Sequence, residues 1–233
     1  LKTPLAGLRM QADLAQRDGN STEELKRSLE QIGRSSIRAT HTVNQLLSLA
    51  RAEAAGAGLQ RAPCDLAQLV IEVVQELLPL AMDRHVDMGY EGADPGCAGV
   101  WLHGNATLLK ELVRNLLTNA IHYSPSSAEQ PAVVTARVLP DPLARMVLLQ
   151  VEDTGPGVPP EERELVFQPF YRALGTGADG SGLGLPIVQE IARQHGAEVV
   201  LDDAQPQRQP CGALFSVRFP ALRKAPVFEA END

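Results

Sequence analysis

The feature that most constrains this chain is a change of hydrophobic period near residue 55. Before it, apolar or small residues recur at Leu25, Leu29, Ile32, Ser36, Ala39, Val43, Leu46 and Ala50, in alternating steps of four and three. That is the seam of a coiled coil or helical bundle. An earlier helical stretch carries Leu5, Leu8, Ala12 and Ala15 over residues 3–17, with Pro4 in its first turn. Gly19 and then Ser21 or Thr22, ahead of Glu24, supply a stop and a new cap. A two-helix hairpin cannot bury both seams alone, so it calls for a partner in a helical bundle. An amphipathic helix lying on its own globular domain is the competing reading.

The stretch "AAGAGLQRAP" (54–63) is a linker by composition. After it the pattern becomes α/β. Residues 66–82 read as helix, 85–90 suit a short strand, "VWLHG" is strand-like, and 106–123 form a strong helix. "AVVTARVL" and "MVLLQVED" predict a hairpin, 183–194 a helix, and "EVVLDD" with "ALFSVRFP" a second hairpin with a longer loop. The tail from Arg223 is charged and Pro-containing, the composition of a disordered end. Net charge is −8 with no basic cluster, which argues against nucleic acid. Cys64, Cys97 and Cys211 are odd in number and widely spaced, as suits a reducing compartment. No CxxC or HExxH occurs and the His residues are scattered, so a His/Cys metal site is not expected.

Three segments carry chemistry. In "LLKELVRNLLTNAIHYSP" (108–125), Glu111, Asn115 and Asn119 fall four apart and form one polar stripe beside a wide apolar face. Asn is a mediocre helix former, so two in register with a Glu ask for a reason. Oxygen ligands for a hard cation such as Mg²⁺ are one; a solvated helix face is the other. In "VEDTGPGVP" (151–159) a strand ends at Asp153, followed by Gly155 and Gly157, which let a ligand approach the backbone. The same letters suit a surface turn ahead of a helix start at "EERELVF". In "GADGSGLGLPIVQEIARQHG" (177–196), Gly180, Gly182 and Gly184 precede an amphipathic helix, an anion site by its free N–H groups and dipole. It is neither a Walker loop nor a dinucleotide fingerprint. The preceding "VFQPFYRALGTGADG" reads as a lid anchored by Phe167, Phe170 and Tyr171, with Arg172 in reach of a phosphate.

Each signal is moderate, but their order is specific. Glu-xxx-Asn-xxx-Asn, Asp-x-Gly-x-Gly, Phe-xx-Phe and Gly-x-Gly-x-Gly resemble the N, G1, F and G2 boxes of two-component sensor histidine kinases, and the resemblance extends to about Pro220. It implies an α+β chain. Residues 1–54 would be a dimerisation and phosphotransfer hairpin, 55–62 a linker, 63–222 an α/β sandwich of the gyrase-type ATP-binding fold, and 223–233 a tail. It implies ATP and Mg²⁺ as cofactors. Glu111 would act on the incoming His as base or polariser. Asn115, helped by Asn119, would hold Mg²⁺. Asp153 would accept from the adenine amino group, Tyr123 would lie on the ring, and Gly155 and Gly157 would admit it. Gly180, Gly182, Leu183 and Gly184 would border the lid and phosphates. His122 stands where relatives often carry Lys or Arg.

"LKTPL" resembles the end of the family's H box, His-Glu-x-x-Thr-Pro-Leu. The resemblance therefore implies a phosphoacceptor His two residues before Leu1, so that residues 1–233 alone bind ATP without phosphorylating themselves. Thr3 would orient a water for dephosphorylating the partner. The implied partners are a response regulator receiver domain and a second copy of the chain, with the parent anchored in the inner membrane by an upstream segment and this portion cytoplasmic. Three other readings compete. They are a nucleotide-binding regulatory module without catalysis, a gyrase-type clamp ATPase, and a dimerisation scaffold. The presence together of Glu111, Asn115 and Asp153 speaks against the first.

Overall fold

The computed structural model describes residues 60–141, 143, 145–172 and 181–222, together with Glu23, Lys26, Arg27, Leu29, Glu30, Ile32, Gly33 and Ser36. The chain divides into two compact units, Leu1–Arg51 and Ala52–Asp233. In the first unit the described residues are helical and lie within the second helix expected from the sequence. Leu29, a seam residue, is exposed there. Thr3, Gly180, residues 55–59 of the linker and the tail 223–233 lie outside the described residues.

The second unit is a layer of helices on a mixed sheet. Its elements are β1 (Ala62–Asp65), α1 (Leu66–Asp83), β2 (Val86–Gly92), β3 (Trp101–Gly104), α2 (Ala106–Tyr123), β4 (Ala132–Asp141), β5 (Met146–Asp153), α3 (Gly184–Gln194), β6 (Glu198–Asp203) and β7 (Ala213–Pro220). β1 and β3 form a small antiparallel pair; the main sheet has the order β2-β4-β5-β7-β6, with β2 parallel to β4 and the other neighbours antiparallel. β1 was not expected. It begins at Ala62, inside the stretch 54–63 read as linker from composition, and four residues are too few to show a period. The helix start expected at "EERELVF" is two short 3₁₀ turns, Pro160–Glu162 and Leu165–Phe167.

Alternation decides which strand residues face the helices. Along β5, Val147, Leu149 and Val151 are fully buried while their neighbours are half-buried, and the same parity puts Asp153 on the helix side. The opposite face of the sheet is polar at its centre, where Arg137 of β4 bridges Glu91 and Glu152. α2 begins cleanly because the Asn105 side chain accepts from the Leu108 N–H at 3.1 Å. Its Leu109, Leu112, Val113, Leu116, Leu117 and Ile121 are buried to 1% exposure or less. Each such side chain contributes about 2 kcal/mol by leaving water, which fixes the roll of α2 and presents the Glu/Asn stripe on its free edge. Lys110 and Glu72, 2.6 Å apart, and Arg114 with Glu76 tie that helix laterally to α1.

The helix ends are joined at one place. The buried His195 ring accepts from the Asn105 N–H through Nε2 at 3.1 Å and bonds the Ile191 carbonyl through Nδ1 at 2.7 Å. Its Phe219 neighbour meets it edge-on. Burial, first of all, lowers the His195 pKa, with Arg61 adding to the effect. The ring is therefore held neutral, the state in which Nε2 can accept. A Cβ at Gly104 would come within 2.8 Å of the ring, so this position is closed to larger residues.

Candidate active site

α2 carries the stripe and two loops close onto it. Asn115 is buried, and its Nδ2 donates to the Glu111 carbonyl at 2.9 Å and to Glu111 Oε1 at 3.2 Å. Its Oδ1 is left uncommitted among the described residues, as is the whole amide of Asn119. Both face Gly184 at the start of α3. A Cβ there would lie 3.2 Å from Asn115 Oδ1 and 3.4 Å from both polar atoms of the Asn119 amide. The second carboxylate oxygen of Glu111 is 3.4 Å from Arg114 Nη1, and the side chain keeps about a quarter of its surface. Amide oxygens free to turn towards a helix N-terminus suit a hydrated hard cation bridging to phosphate. No group of three His, Cys, Asp or Glu side chains lies together among the described residues.

The other end is built on Asp153. The carboxylate is 5% exposed, and its Oδ1 accepts from the Gly155 N–H at 2.8 Å and the Ala213 N–H at 3.2 Å. Burial, the larger effect, raises its pKa against the pull of those two donors, and Glu152 raises it further. Oδ2 has no partner among the described residues. It is an acceptor in an apolar setting, suited to an amino group. Gly155 is required here because a Cβ would lie 2.7 Å from the Tyr123 carbonyl and 2.9 Å from Asp153 Oδ1. Gly157 has φ +76°, and a Cβ there would meet Cys211 Sγ at 2.5 Å. Tyr123 and His122 are half-buried in the last turn of α2, one turn beyond Asn119. The structure thus gathers the N and G1 segments at one end and the N and G2 segments at the other, with α2 spanning both.

The lid segment behaves differently from its sequence reading. Phe170 was expected to anchor the segment as an aromatic, but the residue is 60% exposed. The backbone anchors instead, with the Phe170 N–H donating to the Gly182 carbonyl at 2.8 Å. A Cβ at Gly182 (φ +71°) would lie 2.8 Å from Phe170 and from the Tyr171 carbonyl. Leu183 is fully buried, so its side chain belongs to the core and only its backbone borders the loop. Arg172 is exposed. Sequence reading missed Gly212 and Ala213, which close the Asp153 turn from β7. The Gly212 N–H donates to the Gly155 carbonyl at 3.0 Å. It also missed Ser124. A Gly beside an alternating strand was the visible signal for the first pair; nothing local marked the Ser.

The second unit has the layered architecture of a gyrase-type ATP-binding domain, and the family matches place the chain in the class of ATP-dependent histidine kinases. Residues 104–223 match the family described as "Histidine kinase-, DNA gyrase B-, and HSP90-like ATPase", and residues 1–55 match the "His Kinase A (phospho-acceptor) domain". The chain belongs to the sensor histidine kinases of two-component systems. It is 35% identical to the sensor protein QseC of Escherichia coli O157:H7 over 88% of its length and 43% of QseC. It is also 35% identical to the sensor protein kinase PmrB of Pseudomonas aeruginosa, over 84% of its length and 39% of PmrB. The chain therefore spans less than half the length of these relatives. Among solved structures, a mycobacterial sensor histidine kinase MprB aligns with TM-score 0.59 at 29% identity, over 70% of this chain and 98% of that one.

Proposed function

We propose that this chain is the catalytic core of a sensor kinase that binds Mg-ATP and passes the γ-phosphoryl group to a His upstream of Leu1, and from there to an Asp of a response regulator. The observation that carries the reading is that α2 runs from beside an acceptor without a protein partner, Asp153 Oδ2, to two amide oxygens, those of Asn115 and Asn119, that make no hydrogen bond among the described residues. Asp153 accepts from the exocyclic amino group while Gly155 and Gly157 leave room for the ring and Tyr123 covers it. Asn115 and Asn119 would hold Mg²⁺ through their amide oxygens, and its charge would offset that of the phosphates. His122 and Arg172 supply further donors to the phosphates, and Gly180, Gly182, Leu183 and Gly184, the residues matching the family's G2 box, border the lid and the phosphates. Glu111 accepts from the incoming imidazole and raises its nucleophilicity.

Residues 1–54 are read as the dimerising hairpin, 55–62 as the linker and 63–222 as the ATP-binding domain, ahead of the tail 223–233. Thr3 orients a water that dephosphorylates the regulator. The parent is membrane-anchored with this portion in the cytoplasm; no described helix is itself long and apolar enough to cross a membrane. Calorimetric titration with Mg²⁺ and a non-hydrolysable ATP analogue tests the pocket. A chain extended upstream and incubated with Mg-ATP tests the transfer. Acid-labile phosphorylation is expected, and its absence in a chain that binds the analogue sinks the kinase reading.

A further inference from the structure

Ser124 closes α2 and is 5% exposed, yet its hydroxyl makes no hydrogen bond among the described residues. A buried hydroxyl without a partner asks for an explanation, because it has given up water for nothing in return. Its position supplies one. A Cβ built on Gly155 would lie 3.4 Å from Ser124 Oγ and 2.9 Å from Asp153 Oδ1, so both oxygens face the same glycine. The nearby backbone donors are already assigned. The Gly155 and Ala213 N–H groups serve Asp153 Oδ1, the Gly212 N–H serves the Gly155 carbonyl, and the Thr154 N–H serves the Val133 carbonyl. An ionised carboxylate can accept more than two hydrogen bonds, and a serine hydroxyl turns about its own bonds to meet an acceptor.

We propose that Ser124 is a positioning residue for the nucleobase: as the base covers Asp153, the Ser124 hydroxyl donates to the carboxylate and fixes Oδ2 to accept from the exocyclic amino group. The idea rests on the reading of the pocket as an ATP site. When a base covers Oδ2, the carboxylate loses the water that reaches it, and a reserve donor within the protein takes over that role. The hydroxyl then acts on the amino group only through Asp153. A ligand without that amino group draws no benefit from it.

The test compares ADP with purine riboside diphosphate, which has hydrogen in place of the 6-amino group, by calorimetry with Mg²⁺ on the full chain. Ser124→Ala is expected to weaken ADP about 3- to 10-fold and to leave purine riboside diphosphate within about 1.5-fold of its wild-type affinity. Ser124→Thr keeps the hydroxyl and is expected to bind ADP as the wild type does. Thermal melts check that both variants fold; Ser124→Cys, close in volume and a weak donor, replaces Ser124→Ala if the latter does not. Equal losses for both ligands reduce Ser124 to packing and overturn the proposal. So does an unchanged affinity for ADP, or a Thr variant as weak as the Ala. Failure of the folded wild type to bind ADP at all overturns the ATP-site reading itself, and is told apart from the others because no substitution is involved.

Discussion

The two ends of the pocket are made of different material. At the proposed base end, Asp153 is fixed by backbone N–H groups from its own turn and from β7, and Gly155 and Gly157 lie against backbone atoms and Cys211. At the proposed phosphate end, Gly184 faces side-chain amides rather than backbone: that of Asn115 is held by Glu111 through Nδ2, and that of Asn119 makes no hydrogen bond among the described residues and can turn. A backbone-walled end holds a flat ring in one place. An amide-lined end can adjust as a triphosphate becomes a diphosphate. Rigidity and adaptability are thus separated along α2 by little more than one helical turn.

The largest expected effect comes from removing the fixed acceptor. Asp153→Ala should lower affinity for a non-hydrolysable ATP analogue by roughly 10- to 100-fold, since it deletes a buried, charge-assisted bond and leaves two N–H groups orphaned. Calorimetry reads it, and near-wild-type binding would contradict the assignment of the base end. The same substitution at two glycines then tests the contrast directly. Gly155→Ala meets a carbonyl at 2.7 Å and should both lower the melting temperature and weaken nucleotide binding. Gly184→Ala meets only amides, at 3.2 Å or more, and should leave the melting temperature within a few degrees while weakening binding chiefly in Mg²⁺. Equal thermal penalties would erase the distinction between the ends.

A smaller effect separates the two amides. Asn115→Ala should cost more than Asn119→Ala, because Asn115 is also bonded to Glu111, and both losses should shrink when affinity is measured in EDTA. Losses that persist undiminished without the metal would place these residues outside cation binding. Smallest is the pH dependence at the junction behind the site. His195 has a folded pKa below its unfolded value of about 6.5. The unfolded chain therefore binds more protons between the two values. The contribution of His195 is complete above about pH 6.5 and is lost as pH falls towards the lower folded value. Asp153, whose folded pKa is raised, has the opposite sign, favouring the folded state as pH drops through its own range. Urea melts at pH 7.5 and 5.5 should show a loss of stability on acidification that His195→Asn reduces.

Much of this was legible because local pattern and long-range structure agree. α2 announced itself through its wide apolar face, and "MVLLQVED" read as a strand ending at Asp153 ahead of two glycines. What escaped depends on pairings distant in the chain. The Gly212–Gly155 bond joins the β6–β7 connection to the turn after β5, and no window of sequence holds both. β1 exists because Trp101–Gly104 lies beside it. Phe170 misled because an aromatic beside a Gly-rich loop reads as a ring in a core, whereas here its backbone makes the attachment.

The bond between Asn105 and His195 has a mechanical consequence. It pins the first residue before α2 to the first residue after α3, while Gly184, at the far end of α3, faces Asn115 and Asn119. The eleven residues of α3 make an arm of about 16 Å from that pin. A swing of about 4° about that pin displaces Gly184 by about 1 Å relative to the two amides it faces. Small rotations at the pinned end therefore arrive magnified at the proposed phosphate end.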